Sequence, residues 1–300
     1  MTLDAIVIGA GPAGLAAAIY LARFRRQVLV LHDGDSRAAW IPRSHNHPGF
    51  PGGIVGVDLL DRTRRQAEEF GARIEEAQVT GLAVEGDGFT VTTADRSLSA
   101  RSVILATGVV DRLPDLPGVE SAVRRSLVRI CPICDGFEVS GQTLAVIGDG
   151  PLGAREALFL QTYSDAITLI HTGTPGDLPD AERQGLAKAG VRLIEAPIQE
   201  VTLDHDRLTA LAFTQQGKLE FDAVYTALGV DPRTDLAVQA GAERCDDGRL
   251  IVDDHQETTV PGLYAAGDLV RGLNQISTAQ GEAAIAATSL HNRLREISAK

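Results

Sequence analysis

Gly9-Ala10-Gly11-Pro12-Ala13-Gly14 is the stretch from which the fold is read. A short apolar strand, Asp4 to Ile8, precedes it, and the small-residue helix carrying Ala16, Ala17, Ala18, Ile19 and Leu21 follows. Glycines at 9, 11 and 14 have the spacing of a dinucleotide fingerprint. One makes the tight turn, one lets a pyrophosphate approach the backbone, and one lets helix pack on strand. The helix start, with Pro12 and Ala13 in it, then offers N–H donors to phosphate. Gln27 to Leu31 reads as the second strand, closing a β-α-β unit over residues 4–33. The end of that strand is where a ribose-holding acid is expected. His32 and Asp33 stand there, and either can accept a hydrogen bond; a plain turn over Asp33-Gly34-Asp35 is the alternative.

Residues 143–171 repeat the plan. A strand, Thr143 to Ile147, leads into Gly148-Asp149-Gly150-Pro151-Leu152-Gly153; a helix from Ala154 and a strand over Ile167 to Ile170 follow. Gly148 to His171 has the same spacing as Gly9 to His32. A second nucleotide fold is therefore expected, with Gly148, Gly150, Gly153 and His171 as candidate contacts. Its side-chain readers are missing. An NADPH site wants arginine after the second strand to pair a 2′-phosphate. Here His171 is followed by Thr172-Gly173-Thr174-Pro175-Gly176-Asp177, with no basic residue until Arg183. An NADH site wants a carboxylate where His171 stands. NADPH and NADH both stay open, beside another electron source or sink.

Just before this second unit lies Cys131-Pro132-Ile133-Cys134-Asp135-Gly136. Two cysteines three apart on a helical turn have Cα atoms about 5 Å apart, within the ~4.4–6.8 Å that a disulfide allows. Pro132 suits the first helical position, which makes Cys131 the N-cap. Unpaired N–H groups and the helix dipole favour a thiolate there. Asp135 adds a carboxylate within reach for proton work. A zinc half-site is the bland alternative, but zinc needs about four ligands. The other cysteine, Cys245, stands alone, and His45 and His47 have no third ligand near them. No metal is expected.

Three hundred residues suggest about two domains. The hydrophobic share of 44% can fill sizeable cores, and the net charge of −12 argues against nucleic acid or an anionic membrane as partner. No apolar run reaches the ~20 residues of a membrane span. Three cysteines are no disulfide framework, and with one reactive pair the chain reads as cytoplasmic. Residues 34–53 read as an irregular loop containing Asn46, Asp58 to Gly71 as a helix, and Gly86-Asp87-Gly88 as a hairpin turn. Ser102 to Ala106 is a strand ending at Thr107-Gly108, and further strands surround Gln215-Gln216-Gly217. Near the C-terminus, a strand closes on Gly267-Asp268. Asn274-Gln275-Ile276 then opens a long small-residue helix whose start lets a flat ring approach its N–H groups.

Together these landmarks resemble the low-molecular-weight thioredoxin reductase family of flavoproteins over essentially the whole chain. Five of them fall in that family's order: the first fingerprint, Asn46-His47-Pro48-Gly49-Phe50-Pro51, the paired cysteines, the second fingerprint, and Ala265-Ala266-Gly267-Asp268 with its helix. The resemblance implies an α/β protein of two Rossmann-like, three-layer nucleotide-binding domains, the second inserted in the first. Residues 1–113 and 240–300 would bind FAD, and 114–239 would form the NAD(P)H-type domain carrying the cysteines. FAD would lie on Gly9, Gly11 and Gly14, with Asp268 near its ribityl or phosphate and Gln275 near its ring. Cys134 would face the flavin, Cys131 would exchange with the substrate disulfide, and Asp135 would carry protons. A homodimer and a domain rotation are implied as well. Three departures stand out. The family's double arginine after the second strand of the NADPH domain is absent. Ser36 to Pro42, with Trp40, replaces a Gly-Gly-Gln segment. Asn274-Gln275 replaces Arg-Gln. These keep the dithiol and flavin and alter the reductant side. The expected activity is a dithiol–disulfide exchange with a thioredoxin-like protein or a small-molecule disulfide, with ferredoxin or oxygen as possible redox partner in place of NADPH. A flavin dithiol oxidase, an ordinary NADPH reductase and a non-catalytic redox sensor are the alternatives. Trp40 either covers the flavin or packs in a core or interface.

Overall fold

In the computed structural model, residues 2–34, 36–116, 118–204, 207–213 and 217–298 are described. The expected turn residues Gln215 and Gln216, and Asp35 of the alternative turn, lie outside them. In chain order the first stretch comprises β1 (Leu3–Ile8), α1 (Pro12–Arg23), β2 (Val28–His32), α2 (Gly56–Glu69), β3 (Arg73–Glu76), β4 (Val79–Glu85), β5 (Gly88–Thr93), β6 (Ser97–Leu105) and β7 (Val109–Asp111). The middle stretch comprises α3 (Val119–Arg124), β8 (Val128–Arg129), α4 (Pro132–Asp135), β9 (Leu144–Gly148), α5 (Gly150–Leu160), β10 (Ile167–His171), α6 (Asp180–Lys188), β11 (Arg192–Ile194), β12 (Ile198–Asp204), β13 (Arg207–Phe213), β14 (Gly217–Glu220), β15 (Ala223–Ala227) and β16 (Val230–Pro232). The chain returns through α7 (Asp235–Gln239), β17 (Leu263–Ala265) and α8 (Ile276–Ser298).

The first unit is built on a seven-stranded sheet of order β3-β2-β1-β6-β5-β4, with β17 also on β6. Strands β3, β2, β1, β6 and β17 run parallel, while β4, β5 and β6 form an antiparallel meander. Strand alternation sends residues to two faces. Ala5, Val7, Val28, Val30, Ile104 and Tyr264 face α1 and α8, which meet through alanines such as Ala17, Ala283 and Ala287. Ile6, Ile8, Leu29, Leu31, Val103 and Leu263 face a second core with Leu82, Phe89 and Val91. Both faces are covered, which is why β1 and β2 read as unbroken apolar runs.

The second unit has a five-stranded parallel sheet, β11-β10-β9-β15-β8, and a separate antiparallel sheet, β12-β13-β14. The fold is thus α/β with two doubly wound, Rossmann-like units. The chain leaves the first unit along β7 and comes back along β16, and these two strands pair antiparallel. Ala237 of α7 is fully buried in the first unit's core, with Leu236 packed against it. The five residues of α7 are too few to show a helical periodicity in sequence.

Candidate active site

The fingerprint glycines divide their work as spacing predicts. Gly9 turns the chain with φ +110°, where a Cβ would sit 2.2 Å from Ala106 O. A Cβ on Gly14 would lie 1.8 Å from Gly9 O, so this glycine serves contact between helix and strand. Gly11 is the N-cap of α1, with no side chain closing the helix end. The free N–H groups of that end face a cavity of about 1060 Å³ lined by Gly9, Gly11, Pro12 and Ala13. Gly14 is the one first-site candidate that does not line it.

The same cavity gathers residues far apart in sequence. Its lining includes His32, the last residue of β2, and Asp33 after it, with Thr107, Gly108, Gly267 and Asp268, and with Asn46, Gln275, Ile276 and Cys134. His32 Nδ1 accepts from Gly34 N–H at 3.0 Å, and its Nε2 is 3.0 Å from Arg64 Nη2. Asp33 pairs with Arg233 at 3.4 Å, and Thr107 Oγ1 donates to the Arg233 carbonyl at 2.6 Å. Arg37, missed in sequence, grips Asp111 with two bonds of 2.7 and 2.8 Å and reaches Asp268 at 3.4 Å. Burial raises the Asp268 carboxyl above its ordinary range, against the pull of Arg37 and Arg249. A cavity of this size, lined by an uncapped helix end, a carboxylate and a cysteine, suits a dinucleotide with a redox ring.

Cys131 and Cys134 form a disulfide, Cα atoms 5.3 Å apart. Cys131 is the N-cap of α4 and Pro132 its first residue, as read from sequence. Cys134 lines the cavity, and Cys131 does not. The Gln275 amide bridges the pair: its Nε2 lies 3.4 Å from each sulfur, and its Oε1 accepts from Asn46 Nδ2 at 2.9 Å. Asn46 Nδ2 also lies 3.3 Å from the Ile133 carbonyl. The loop after β2 and the start of α8 therefore hold the cysteine turn from the first unit's side.

Asp135 turns the other way, into the second unit. Arg129 binds its Oδ2 and Tyr225 donates to Oδ1 at 2.8 Å. Arg129 and Tyr225 are register partners on β8 and β15, so the sheet fixes both. Burial raises the Asp135 carboxyl above its ordinary range, and Arg129 and Tyr225 oppose the rise. Neither partner was legible in the sequence; the one local signal is a cation two residues before Cys131.

The second fingerprint is occupied by the protein itself. Gly153 packs on Gly148, where a Cβ on Gly148 would be 2.6 Å from Gly153 Cα. The Gly150 N–H, at the start of α5, donates to His171 Nε2 at 3.2 Å. Asp149 Oδ1 stands 3.2 Å from the same nitrogen, and Glu195 3.9 Å from Nδ1. Arg183, the nearest downstream cation, is held by Glu195, whose carboxyl it and the Gly176 N–H pull down to about 2. The neighbouring cavity of about 520 Å³ includes His171, Asp115 and Glu195 and has no arginine or lysine in its lining. Among the described residues no group of three metal-ligating side chains occurs, and no helix is long and apolar enough to cross a membrane.

Two nucleotide-type units, one large cavity and a disulfide whose Cys134 lines it define a nucleotide-disulfide oxidoreductase. Residues 3–283 match the model of the pyridine nucleotide-disulphide oxidoreductases. The chain is 35% identical to the thioredoxin reductase of Mycolicibacterium smegmatis over 306 residues, covering 98% of this chain and 97% of that one. Its fold is similar to that of HlmI, with TM-score 0.90, 33% identity and coverage of 98% and 93%. It is also similar to the thioredoxin reductase from Streptococcus pyogenes, with TM-score 0.91, 28% identity and coverage of 98% and 99%. The chain belongs to the pyridine nucleotide-disulphide oxidoreductase family and is a thioredoxin reductase-like flavoprotein with FAD as cofactor.

Proposed function

We propose that this enzyme exchanges electrons between FAD and a disulfide substrate through Cys131 and Cys134, with a donor or acceptor other than NADPH. The observation that carries this reading is the contrast between its two fingerprints. At the first, an uncapped helix end opens on a large cavity that also holds Cys134. At the second, His171 takes the Gly150 N–H, and Asp149 and Glu195 put carboxylates where a phosphate would have to come. A 2′-phosphate there would meet ionised acids and no free arginine among the described residues.

FAD, when bound, supplies the two-electron step. Gly9, Gly11, Pro12 and Ala13 would hold its pyrophosphate, His32 or Asp33 its adenosine ribose, and Thr107, Gly108, Gly267 and Asp268 its middle. Asn46, Gln275 and Ile276 would border its ring. Cys134 is the sulfur toward the flavin, since it alone of the pair reaches the cavity. Cys131, at the N-cap, exchanges with substrate, where the helix end favours its thiolate. Asp135 takes up and gives back the proton. Exposed Ile133 and Phe137 flank the cysteines, and Phe137 is 77% exposed, a surface suited to a thioredoxin-like protein. We place the enzyme in the cytoplasm as a homodimer, with the FAD domain returning after the β7–β16 ribbon.

The test is an anaerobic titration of the flavoprotein with NADPH, NADH, reduced ferredoxin and a dithiol, followed by flavin absorbance. The expected result is bleaching by the dithiol or by ferredoxin and none at excess NADPH. Stoichiometric bleaching by NADPH would overturn the donor assignment. Oxygen consumption with a dithiol would identify oxygen as the acceptor.

A further inference from the structure

We propose that Arg129 and Tyr225 are positioning residues that hold the Asp135 carboxylate and so set the pH at which the cysteine pair exchanges protons. The inference rests on the reading of Asp135 as the proton carrier and goes beyond it. Both carboxylate oxygens are engaged, one by each partner. Both partners stand on neighbouring strands of one sheet, in register, and Tyr225 is 0% exposed. Two anchors from rigid elements fix the acid's position as a loop or a single bond could not. The Arg129 Nε is itself buried without a partner, so its guanidinium is committed to this site at some cost.

The proton balance is explicit. When the reduced pair closes onto a substrate disulfide, a cysteine thiolate attacks a substrate sulfur and the substrate S–S bond breaks. The second cysteine must lose its proton to displace the mixed disulfide. Asp135 accepts that proton as carboxylate; the two substrate sulfurs leave as thiolates, one taking the proton back from Asp135 and the other taking one from water, and the Cys131–Cys134 bond forms. The two electrons pass from the cysteine sulfurs to the substrate sulfurs. Arg129 and the Tyr225 hydroxyl stabilise the carboxylate that must be present beforehand.

The charged and titratable groups around Asp135 are few. Arg129 comes from β8, Tyr225 from β15, and Glu138 from the turn after α4. α5 packs against α4 and carries Arg155 and Glu156, and Tyr163 beyond it touches Gly136. Glu138 opposes the carboxylate; Arg129 is the one cation paired with it. Removing Arg129 leaves burial and Glu138 opposed by the Tyr225 hydrogen bond alone, so Asp135 ionises at higher pH.

The experiment uses the holoenzyme in a Cys245→Ser background, so that only the paired thiols report. The enzyme is reduced with excess dithiol, desalted anaerobically and mixed with an aromatic disulfide over a pH series. The rate rises with pH as Asp135 ionises. Arg129→Gln is expected to move this acid limb up by about one to three pH units, the effect of an opposite charge at this range. Tyr225→Phe moves it up by less, and Arg129→Lys restores it most of the way. Flavin content and circular dichroism report folding. If Arg129→Gln does not fold, Tyr225→Phe and Arg129→Lys decide alone. Limbs superposed on the parent's in the variants that fold, with Asp135→Asn having lost the limb, would overturn the positioning roles while leaving Asp135 as proton carrier. An Asp135→Asn limb identical to the parent's would overturn the underlying reading instead.

Discussion

Glu156 shows how a single buried group colours the whole chain's stability. It sits on α5 with Oε2 buried and without a partner, and burial, only partly offset by Arg155, raises its carboxyl to about 7. The sign follows from linkage. Below the ordinary glutamate range the group is neutral in both folded and unfolded chains and costs nothing. As pH rises toward 7 the unfolded chain releases its proton first, so folding loses stability until the folded group ionises too. Glu156→Gln removes that loss. Between about pH 5 and 8 the variant should gain up to ~3 kcal/mol relative to the parent, by the energy of such a shift. Denaturant midpoints across that range check it, and parallel pH curves for the two proteins would sink it.

At the level of elements, the glycines rank by what surrounds them. Gly14→Ala places a methyl 1.8 Å from Gly9 O, backbone against backbone. Overpacking of that kind costs about 1–3 kcal/mol or more and should open α1 from β1, with loss of bound flavin. Gly108 has φ +67° but nothing within 4 Å, so Gly108→Ala carries only the backbone cost of about 1–2 kcal/mol. Thermal unfolding and flavin content of the purified proteins check this order. Such turns are legible in sequence because the spacings of Gly9 to Gly14 and Gly86 to Gly88 span a few residues, although the backbone that crowds Gly9 and Gly88, at Ala106 and Ala100, is distant in the chain. The Arg129–Asp135–Tyr225 cluster was not, since only the register of β8 on β15 brings those residues together. Arg37 was hidden in the same way, lying in an irregular stretch whose 3-10 turn, Arg37–Trp40, depends on contacts with Asp111 and Asp268. The missing arginine after β10 was visible in sequence, but the hydrogen bond that His171 accepts from Gly150 N–H was not.

Across the whole molecule, the β7–β16 ribbon is joined by contacts at the cysteine turn in linking the two units. Asn46 and Gln275 hold the turn, and His45 stands 3.9 Å from Glu138. Trp40 packs against the second unit's buried cluster, which holds Ala122, Val123 and Leu127, and Arg124 of α3 lies 4.4 Å from the centre of its ring. Such a stacked cation contributes about 0.5–1 kcal/mol at a partly exposed site. A turn of one unit on the other would have to break these contacts. Asn46→Ala combined with Arg124→Ala should therefore broaden the small-angle X-ray scattering profile toward more open arrangements; a profile unchanged from the parent's would refute it. Trp40 has one more consequence. It is the chain's only tryptophan, and it lines the cavity in which Cys134 ends. Its emission therefore comes from a single known place, beside any flavin that would absorb it and against the unit that would move away. Without a label, the light from one indole becomes a gauge both of cofactor loading and of opening during turnover.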